Sequence, residues 1–229
     1  MHMRAVIMGG SSGIGLATAE QLANAGIEVT VTGRDPAKLA ALSGPLATER
    51  LDGTDYDAVS AFFDRFGELD HLVLAFSPGA GGFGPIREIE FARIEEAFTG
   101  KPFAYLHAIR AANVTQSITM VSAASARSAM PGTVALAAAN GAIERAVPAL
   151  AAELAPVRVN VVSPGVVDTP WWSFLPEDER HAQFETLAAQ VPAGRVGTAA
   201  DIANAITYLT RATFVTGTIL PVDGGLTVA

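Results

Sequence analysis

Short runs of branched apolar residues alternate along the chain with segments whose apolar residues recur at helical spacing. A strand predicted over residues 4–10 ends in glycines and is followed by a helix predicted over 15–26. This alternation continues to the end of the chain, and continuous Val, Ile and Leu strands between helices predict a parallel sheet covered on both faces. The remaining strands are predicted over 28–34, 49–53, 69–76, 117–123, 157–165 and 216–225, and the remaining helices over 35–44, 57–67, 89–112, 133–154, 176–190 and 199–211.

The pattern contains no linker, repeat or low-complexity segment that would divide the chain. We therefore expect residues 1–229 to form a single α/β domain, a Rossmann-type doubly wound parallel sheet of about seven strands with helices on both faces. In such sheets a ligand binds beyond the carboxyl ends of the strands, where the strand order reverses.

Composition excludes several classes of partner and site. The net charge of −8 and the estimated pI of 4.9 disfavour nucleic acid as a partner. The chain has no cysteine, and its four histidines show no metal-binding spacing, so neither a disulfide nor a metal site is expected. It also lacks an apolar run long enough to cross a membrane and a recognisable signal peptide, and we expect a cytoplasmic protein without membrane contact.

A glycine-rich loop joins the first strand to the first helix. Gly9, Gly13 and Gly15 in "GGSSGIG" give a tight turn that opens directly onto a helix N-terminus. Glycine allows close backbone approach to a pyrophosphate, and the helix N-terminus offers free N–H groups and partial positive charge. The alternative is a plain turn, but the strand–turn–helix context favours phosphate binding.

Residues after the second and third strands bear on the choice of cofactor. Arg34 follows the second strand where an NAD-selective fold has an acidic residue, and with Ser11 it favours NADP(H) over NAD(H). The alternative is that Arg34 is an ordinary surface charge and Asp35 takes the NAD role. Asp52 is placed to accept a hydrogen bond from the adenine amine, or else to cap the next helix.

These stretches and others resemble the short-chain dehydrogenase/reductase family over nearly the whole chain. The matching segments, in order, are "GGSSGIGLATAEQLANAG", "VTGRD", "LDHLVLAF", "VRVNVVSPGVVDTP", "GRVGTAADIANAITYL" and "TGTILPVDGG". The resemblance implies an NAD(P)-dependent oxidoreductase acting on a small molecule. It also implies a homo-oligomer, a tetramer or else a dimer, in which the helices of 89–112 and 133–154 pair with those of another subunit.

The residues that carry the chemistry of the resembled family are missing. That family uses a Ser, a Tyr-x-x-x-Lys pair and an upstream Asn. Here Leu136 stands at the Tyr position, Asn140 at the Lys position, Ala123 at the Ser position and Phe98 near the Asn position. No Tyr-x-x-x-Lys sequence occurs anywhere, because the only lysines are Lys38 and Lys101. The sequence thus predicts a site without its proton-handling side chains.

Few other side chains in the sequence could take the place of the missing catalytic residues. Ser122 is a weak candidate because strand alternation turns it away from the face of residue 123; Ser125 and Ser128 are other nearby hydroxyls. Lys101 and Tyr105 form a reversed pair on one helix, for which a structural or interface role is favoured over catalysis. His107 and His181 are interpreted as ordinary core or surface residues, although His181 lies in the segment that covers the substrate in the resembled family.

The segment "SPGVVDTPWW" resembles the loop beside the nicotinamide, and Asn140 could still bind ribose hydroxyls. A substrate pocket is expected from Leu136, Trp171, Trp172 and Phe174, the alternative being that one Trp packs in the core and the other at a subunit contact. The cofactor contacts implied by the resemblance are Gly9, Ser11, Ser12, Gly13, Ile14, Gly15, Arg34, Asp52, Gly53, Ala75, Phe76, Ser77, Asn140, Pro164, Gly165, Val167 and Thr169.

The combination of retained cofactor loops and missing catalytic residues leaves three alternative functions. The first is an NADP(H)-dependent oxidoreductase with weak or altered redox activity on an apolar small molecule. The second is a cofactor-binding protein without turnover, such as a sensor or partner subunit. The third is a lyase or isomerase that reuses the pocket. The intact glycine and nicotinamide loops favour the first two.

Overall fold

The predicted sheet is present, with seven parallel strands in a doubly wound order. The computed structural model describes residues 3–228; Met1, His2 and Ala229 lie outside this range. The strand order is β3-β2-β1-β4-β5-β6-β9, so the order reverses between β1 and β4. The strands are β1 (Arg4–Met8), β2 (Glu28–Gly33), β3 (Leu46–Arg50), β4 (Glu68–Leu74), β5 (Asn113–Val121), β6 (Arg158–Pro164) and β9 (Ile219–Val222).

Eight α-helices occur within residues 3–228. They are α1 (Gly13–Asn24), α2 (Pro36–Ala40), α3 (Tyr56–Phe66), α4 (Phe91–Phe98), α5 (Ala104–Ala111), α6 (Val134–Glu153), α7 (Glu177–Gln190) and α8 (Ala199–Arg211).

Each face of the sheet has its own core, because alternate strand residues point to opposite faces. On one face Val6 and Met8 pack with residues of α3, α5 and α6 such as Phe62 and Ile143. On the other face Ala5 and Ile7 pack with residues of α1 and α8 such as Leu22, Ile202 and Ile206. Helices therefore cover both faces, as predicted for a Rossmann-type fold.

Several bounds differ from the prediction: α2 is Pro36–Ala40 rather than 35–44, β5 is Asn113–Val121 rather than 117–123, and β9 is Ile219–Val222 rather than 216–225. Three further differences concern the arrangement of the elements. The third strand ends at Arg50 rather than spanning 49–53, since it is a half-exposed edge strand without a clear apolar run. The helix expected over 89–112 is interrupted by a π-helical turn at Thr99–Phe103 that contains Pro102. Two short strands, β7 (Val167–Asp168) and β8 (Gly197–Thr198), pair in a small second sheet that was not predicted.

Candidate functional site

A cavity of about 640 Å³ lies beyond the carboxyl ends of the parallel strands, at the reversal of strand order. It reaches from Arg34 at the end of β2 to Trp171 after β7. Its lining brings together almost every site residue predicted from the sequence. These residues are Gly9, Ser11, Ser12, Gly13, Ile14, Arg34, Asp52, Gly53, Ala75, Phe76, Ser77, Ser122, Ala123, Leu136, Asn140, Pro164, Gly165, Val167, Thr169, Trp171 and Trp172.

Two predicted site residues lie outside the lining. Gly15 is buried in the first turn of α1, where a Cβ would overlap the carbonyl oxygen of Gly9, so it serves loop packing. Phe174 is 49% exposed and stacks behind Trp172, with ring centroids 5.8 Å apart. It therefore backs the aromatic wall, and its predicted place in the pocket is corrected.

The loop before α1 has the geometry of an anion cradle. Gly9 adopts a φ of +85°, and a Cβ on it would come within 2.7 Å of the backbone nitrogen of Phe76. The amides of Gly9 and Gly10 donate to the carbonyl of Thr32. Ser12, the N-cap residue, makes no side-chain capping bond, so the first-turn N–H groups of α1 remain available to an anion.

Basic and hydroxyl groups meet at the end of β2. Arg34 is exposed, and no carboxylate in the described part of the chain forms an ion pair with it. Asp35 caps α2, where its carboxylate accepts from the amides of Ala37 and Lys38 at 2.9 and 3.3 Å. Both bonds go to Oδ1, and Asp35 lines the cavity together with Arg34, Lys38 and Ser11. The alternative in which Asp35 takes the NAD role therefore stays open.

Asp52 does not cap the following helix. Its carboxylate accepts from the amide and hydroxyl of Thr54 at 2.9 and 2.7 Å, and Asp55 is the N-cap of α3. Asp52 lines the cavity beside Gly53, where a Cβ would meet the Phe76 ring at 2.7 Å. The capping alternative for Asp52 is therefore wrong.

The loop after β6 is held tightly against the glycine loop and the chain end. A Cβ on Gly165 would lie 2.8 Å from the Cα of Asp223, so this turn requires glycine. Thr169 lies opposite Gly13, with its Cβ 3.4 Å from where a Cβ would stand on that glycine. The loop is thus placed against the N-terminus of α1.

Aromatic side chains form one end of the cavity. Trp172 is 9% exposed, and its indole N–H donates to the carbonyl of Val167 at 3.1 Å. Trp171 and Phe83 lie at a centroid distance of 5.8 Å, and both line the cavity with Leu136. Both tryptophans therefore face the cavity, although Trp172 also packs against Phe184 of α7.

The structure adds a lysine ammonium group to the cavity lining that the sequence analysis did not place there. The ammonium of Lys101, in the π-helical turn, donates to the amide oxygen of Asn140 at 2.7 Å and to the carbonyl of Ser122 at 3.3 Å. Lys101 thus lines the cavity beside the position where the resembled family has its lysine. Burial lowers the pKa of Lys101 to about 8, against an opposing effect of the negative charge of Glu144.

Three hydrogen bonds hold the Asn140 side chain. Its amide nitrogen donates to the carbonyl of Leu136 at 2.9 Å and to the hydroxyl of Ser125 at 3.2 Å, while its oxygen accepts from Lys101. This oxygen keeps a second lone pair and Asn140 lines the cavity, so its role in binding ribose hydroxyls stays a prediction.

Ser122 faces away from the cavity through its side chain, as strand alternation predicts. Its hydroxyl donates to the buried carboxylate of Glu144 at 2.7 Å, and the hydroxyl of Ser163 donates to the same oxygen at 2.7 Å. The second carboxylate oxygen lies 3.3 Å from Nε of Arg127. Ser122 therefore stabilises a buried charge rather than offering its hydroxyl to a ligand.

Lys101 and Tyr105 do not form an interface pair. Tyr105 is 1% exposed, and its hydroxyl donates to the carbonyl of Phe76 at 2.9 Å. Burial raises the pKa of the Tyr105 phenol well above its ordinary value, which makes it a structural donor. His107 bonds to Ser60 and to the carbonyl of Tyr56, and His181 is exposed outside the cavity lining.

Neither a metal-binding cluster nor a membrane-spanning helix occurs in the described residues. Residues 3–228 hold no group of three or more His, Cys, Asp or Glu side chains arranged to bind a metal ion. Within the same range, every helix is too short or too polar to span a bilayer.

Comparison with known proteins agrees with this geometry. Residues 9–227 match a family model described as enoyl-(acyl carrier protein) reductase. The chain is 36% identical to cis-4-hydroxycyclohexanecarboxylate dehydrogenase of Sinomonas cyclohexanicum, covering 97% of this chain and 96% of that protein. It is 31% identical to the 3-oxoacyl-[acyl-carrier-protein] reductase FabG of Escherichia coli K12, covering 97% and 96% respectively.

Solved structures give the same result. The fold superposes with a TM-score of 0.86 on a small-chain dehydrogenase in complex with NADPH, at 30% identity and covering 100% of both chains. The sheet order, the cavity at its switch point and the matched length together place this chain in the short-chain dehydrogenase/reductase family of oxidoreductases.

Proposed function

We propose that the protein is an NADP(H)-dependent oxidoreductase that interconverts a small, largely apolar carbonyl compound and its alcohol by an altered proton path. The observation that carries this proposal is one continuous cavity. It joins Arg34, the uncapped N-terminus of α1, the Lys101 ammonium and the aromatic wall at Trp171. Each part suits one portion of a dinucleotide or its substrate.

The residues present fit the dinucleotide. The first-turn amides of α1 suit a pyrophosphate, and the glycine contacts leave no space for side chains at Gly9. Arg34, Lys38 and Ser11 supply charge and hydrogen bonds for a 2′-phosphate, while Oδ1 of the neighbouring Asp35 caps α2. A nicotinamide bound here supplies or accepts the hydride.

The aromatic end of the cavity suits a compact apolar substrate. Phe83, Leu136, Trp171 and Trp172 give it apolar walls, which exclude water from a reacting carbon. The relative from Sinomonas is named for a substituted cyclohexane, a ring of compatible character. Cyclic ketones and secondary alcohols are therefore the first substrates to test.

Cofactor titration tests the proposal. We expect NADPH to bind tighter than NADH, and Arg34→Ala to weaken NADPH binding by about tenfold or more while leaving NADH unchanged, since charge-assisted hydrogen bonds contribute about 1.5–3 kcal/mol. Arg211→Ala, at an exposed arginine of α8 outside the cavity, is the matched control and should bind both as the wild type does. Failure of both dinucleotides to bind would refute the proposal.

The absence of Ser and Tyr at Ala123 and Leu136 favours one other function, cofactor binding without turnover. A panel of cyclic ketones and alcohols, followed by nicotinamide absorbance, separates the two functions. Turnover above the uncatalysed rate supports the oxidoreductase. Tight NADPH binding with no turnover on any compound would favour a sensor or partner subunit.

A further inference from the structure

The π-helical turn directs Lys101 into the cavity. A π turn adds a residue to the helical repeat and rotates the side chains that follow, and such turns are common at functional sites. Pro102 lies inside the turn and has no amide hydrogen to donate. Gly100 packs so closely on Pro78 that a Cβ would lie 2.6 Å from the proline Cβ, which holds the turn against the loop after β4.

The Lys101 ammonium has a proton available for a ligand. Among the described residues it has two acceptors, the Asn140 amide oxygen at 2.7 Å and the Ser122 carbonyl at 3.3 Å. An ammonium group carries three protons. One N–H therefore remains in a residue that lines the cavity between Leu136 and the loop after β4.

Asn140 fixes the orientation of this contact. Its amide nitrogen must donate to the carbonyl of Leu136, because a carbonyl can only accept. Its oxygen therefore faces Lys101. If the amide were rotated by 180°, its NH₂ group would face the Lys101 ammonium, and both groups are hydrogen-bond donors. Asn140 thus positions Lys101 rather than competing with it.

Burial lowers the pKa of Lys101, and the charge of Glu144 offsets only part of that effect. The buried carboxylate of Glu144 opposes the effect of burial, but it is shared with two serine hydroxyls and Arg127. Glu96 lines the same cavity but pairs with Arg93 at 2.9 Å. The result is a lysine whose pKa of about 8 lies near the pH of most cells.

From this geometry we infer that Lys101 is the acid–base group of the site, delivered by the π turn and positioned by Asn140, in place of the residues absent at 136 and 140. The inference rests on the proposed function. In reduction, the carbonyl carbon gains hydride and its oxygen gains a proton from Nζ of Lys101, which leaves a neutral amine that water reprotonates. In oxidation, the neutral amine accepts the hydroxyl proton.

The two directions have opposite pH dependence. Reduction requires the protonated lysine, so its rate should fall as pH rises through about 8. Oxidation requires the neutral amine, so its rate should rise over the same range. A lysine with a purely structural role would not give opposite pH dependences for the two directions.

Three variants test the assignment. Lys101→Met and Lys101→Arg should both lower kcat by about 100-fold or more, the usual effect of losing a positioned acid–base group, and both should lose the limb near pH 8. Lys101→Arg keeps the positive charge and should bind NADPH within a few-fold of the wild type. Arg211→Met, at an exposed arginine of α8 outside the cavity, is the control that should leave kcat unchanged. Wild-type kcat in Lys101→Arg would overturn the inference.

A second readout does not depend on turnover. The chain has only two lysines, so protein labelled with ¹³C at lysine Cε gives two signals, and the one that vanishes in Lys101→Met belongs to Lys101. We expect the Lys101 signal to titrate near 8 in the cofactor-free protein and to move when NADPH is added. A Lys101 signal that does not titrate near 8, or that is unchanged by NADPH bound to the wild type, would overturn the inference. Failure of the wild type to bind NADPH would instead refute the proposed function.

Discussion

Lys101 and Asn140 are joined by a hydrogen bond of 2.7 Å across 39 positions of the chain. One comes from the π turn between α4 and α5, and the other from the second turn of α6. Together they place an ammonium group where the family's sequence pattern has a lysine on α6. This contact is the basis of the acid–base role that we propose for Lys101.

A double-mutant cycle on Lys101 and Asn140 should show that the two residues stabilise the folded protein together. Asn140→Leu leaves a buried ammonium without its closest acceptor, and we expect unfolding free energy to fall by about 1–3 kcal/mol in the presence of Lys101. In the Lys101→Met background the same change should cost much less. Urea denaturation of the four proteins measures the difference, and additive effects would contradict the contact.

Gly15 should be intolerant of even one added carbon. Alanine there would overlap the carbonyl of Gly9, so we expect Gly15→Ala to lose roughly 3 kcal/mol of stability, or to fail to fold, and to lose NADPH binding. Gly141→Ala is the matched control, because its Cβ meets nothing within 4 Å and α6 should gain about 0.5–1 kcal/mol. Similar melting temperatures for the two variants would refute the packing argument.

His71 should make the protein sensitive to mild acid. Its ring is 2% exposed and shares a hydrogen bond of 2.8 Å with Ser117, and burial lowers its pKa from 6.5 to about 4, with Asp70 opposing and Arg158 adding to the shift. The unfolded chain therefore binds this proton more readily than the folded chain does. The contribution of His71 to the free energy of unfolding should be fully present above pH 6.5. It should decrease by about 2–3 kcal/mol when the pH is lowered to 4.

This acid-sensitive window separates His71 from the carboxyl groups. The pKa values of Asp70 and Asp223 are lowered by hydrogen bonds that outweigh burial, so these groups lose their contributions only below 3.8. His71→Gln should flatten the stability profile between pH 6.5 and 4, whereas exposed His181→Gln should leave it unchanged. A slope that survives in His71→Gln would assign the effect to another group.

The exposed apolar residues predict self-association. Phe91, Phe103, Leu106 and Val134 lie exposed on α4, the π turn, α5 and α6, the helices expected to pair with another subunit. We expect a homotetramer, or else a dimer, and Leu106→Glu should shift the mass by light scattering toward smaller species. Tyr208→Glu on α8 is the control. A monomeric wild type would contradict the prediction.

Much of the fold follows from residue patterns, because buried parallel strands and amphipathic helices have periodicities that sequence displays directly. The cavity lining also followed, since glycines and polar residues after strands must meet at one edge of the sheet. Lys101 could not be placed this way. An α-helical repeat over 89–112 places it on one face with Tyr105, and both residues do line the cavity, but nothing in the sequence shows that this face meets the residues of α6. Pro102, one residue later and inside the predicted helix, was the available signal of an irregular turn.

The most direct test of the account is a crystal structure of protein purified with NADPH. We expect electron density for the dinucleotide along the cavity, with its 2′-phosphate against Arg34 and the Lys101 ammonium within hydrogen-bond distance of the nicotinamide ribose or of a bound substrate oxygen. A cavity without a dinucleotide, or a Lys101 side chain directed away from one that is bound, would contradict it.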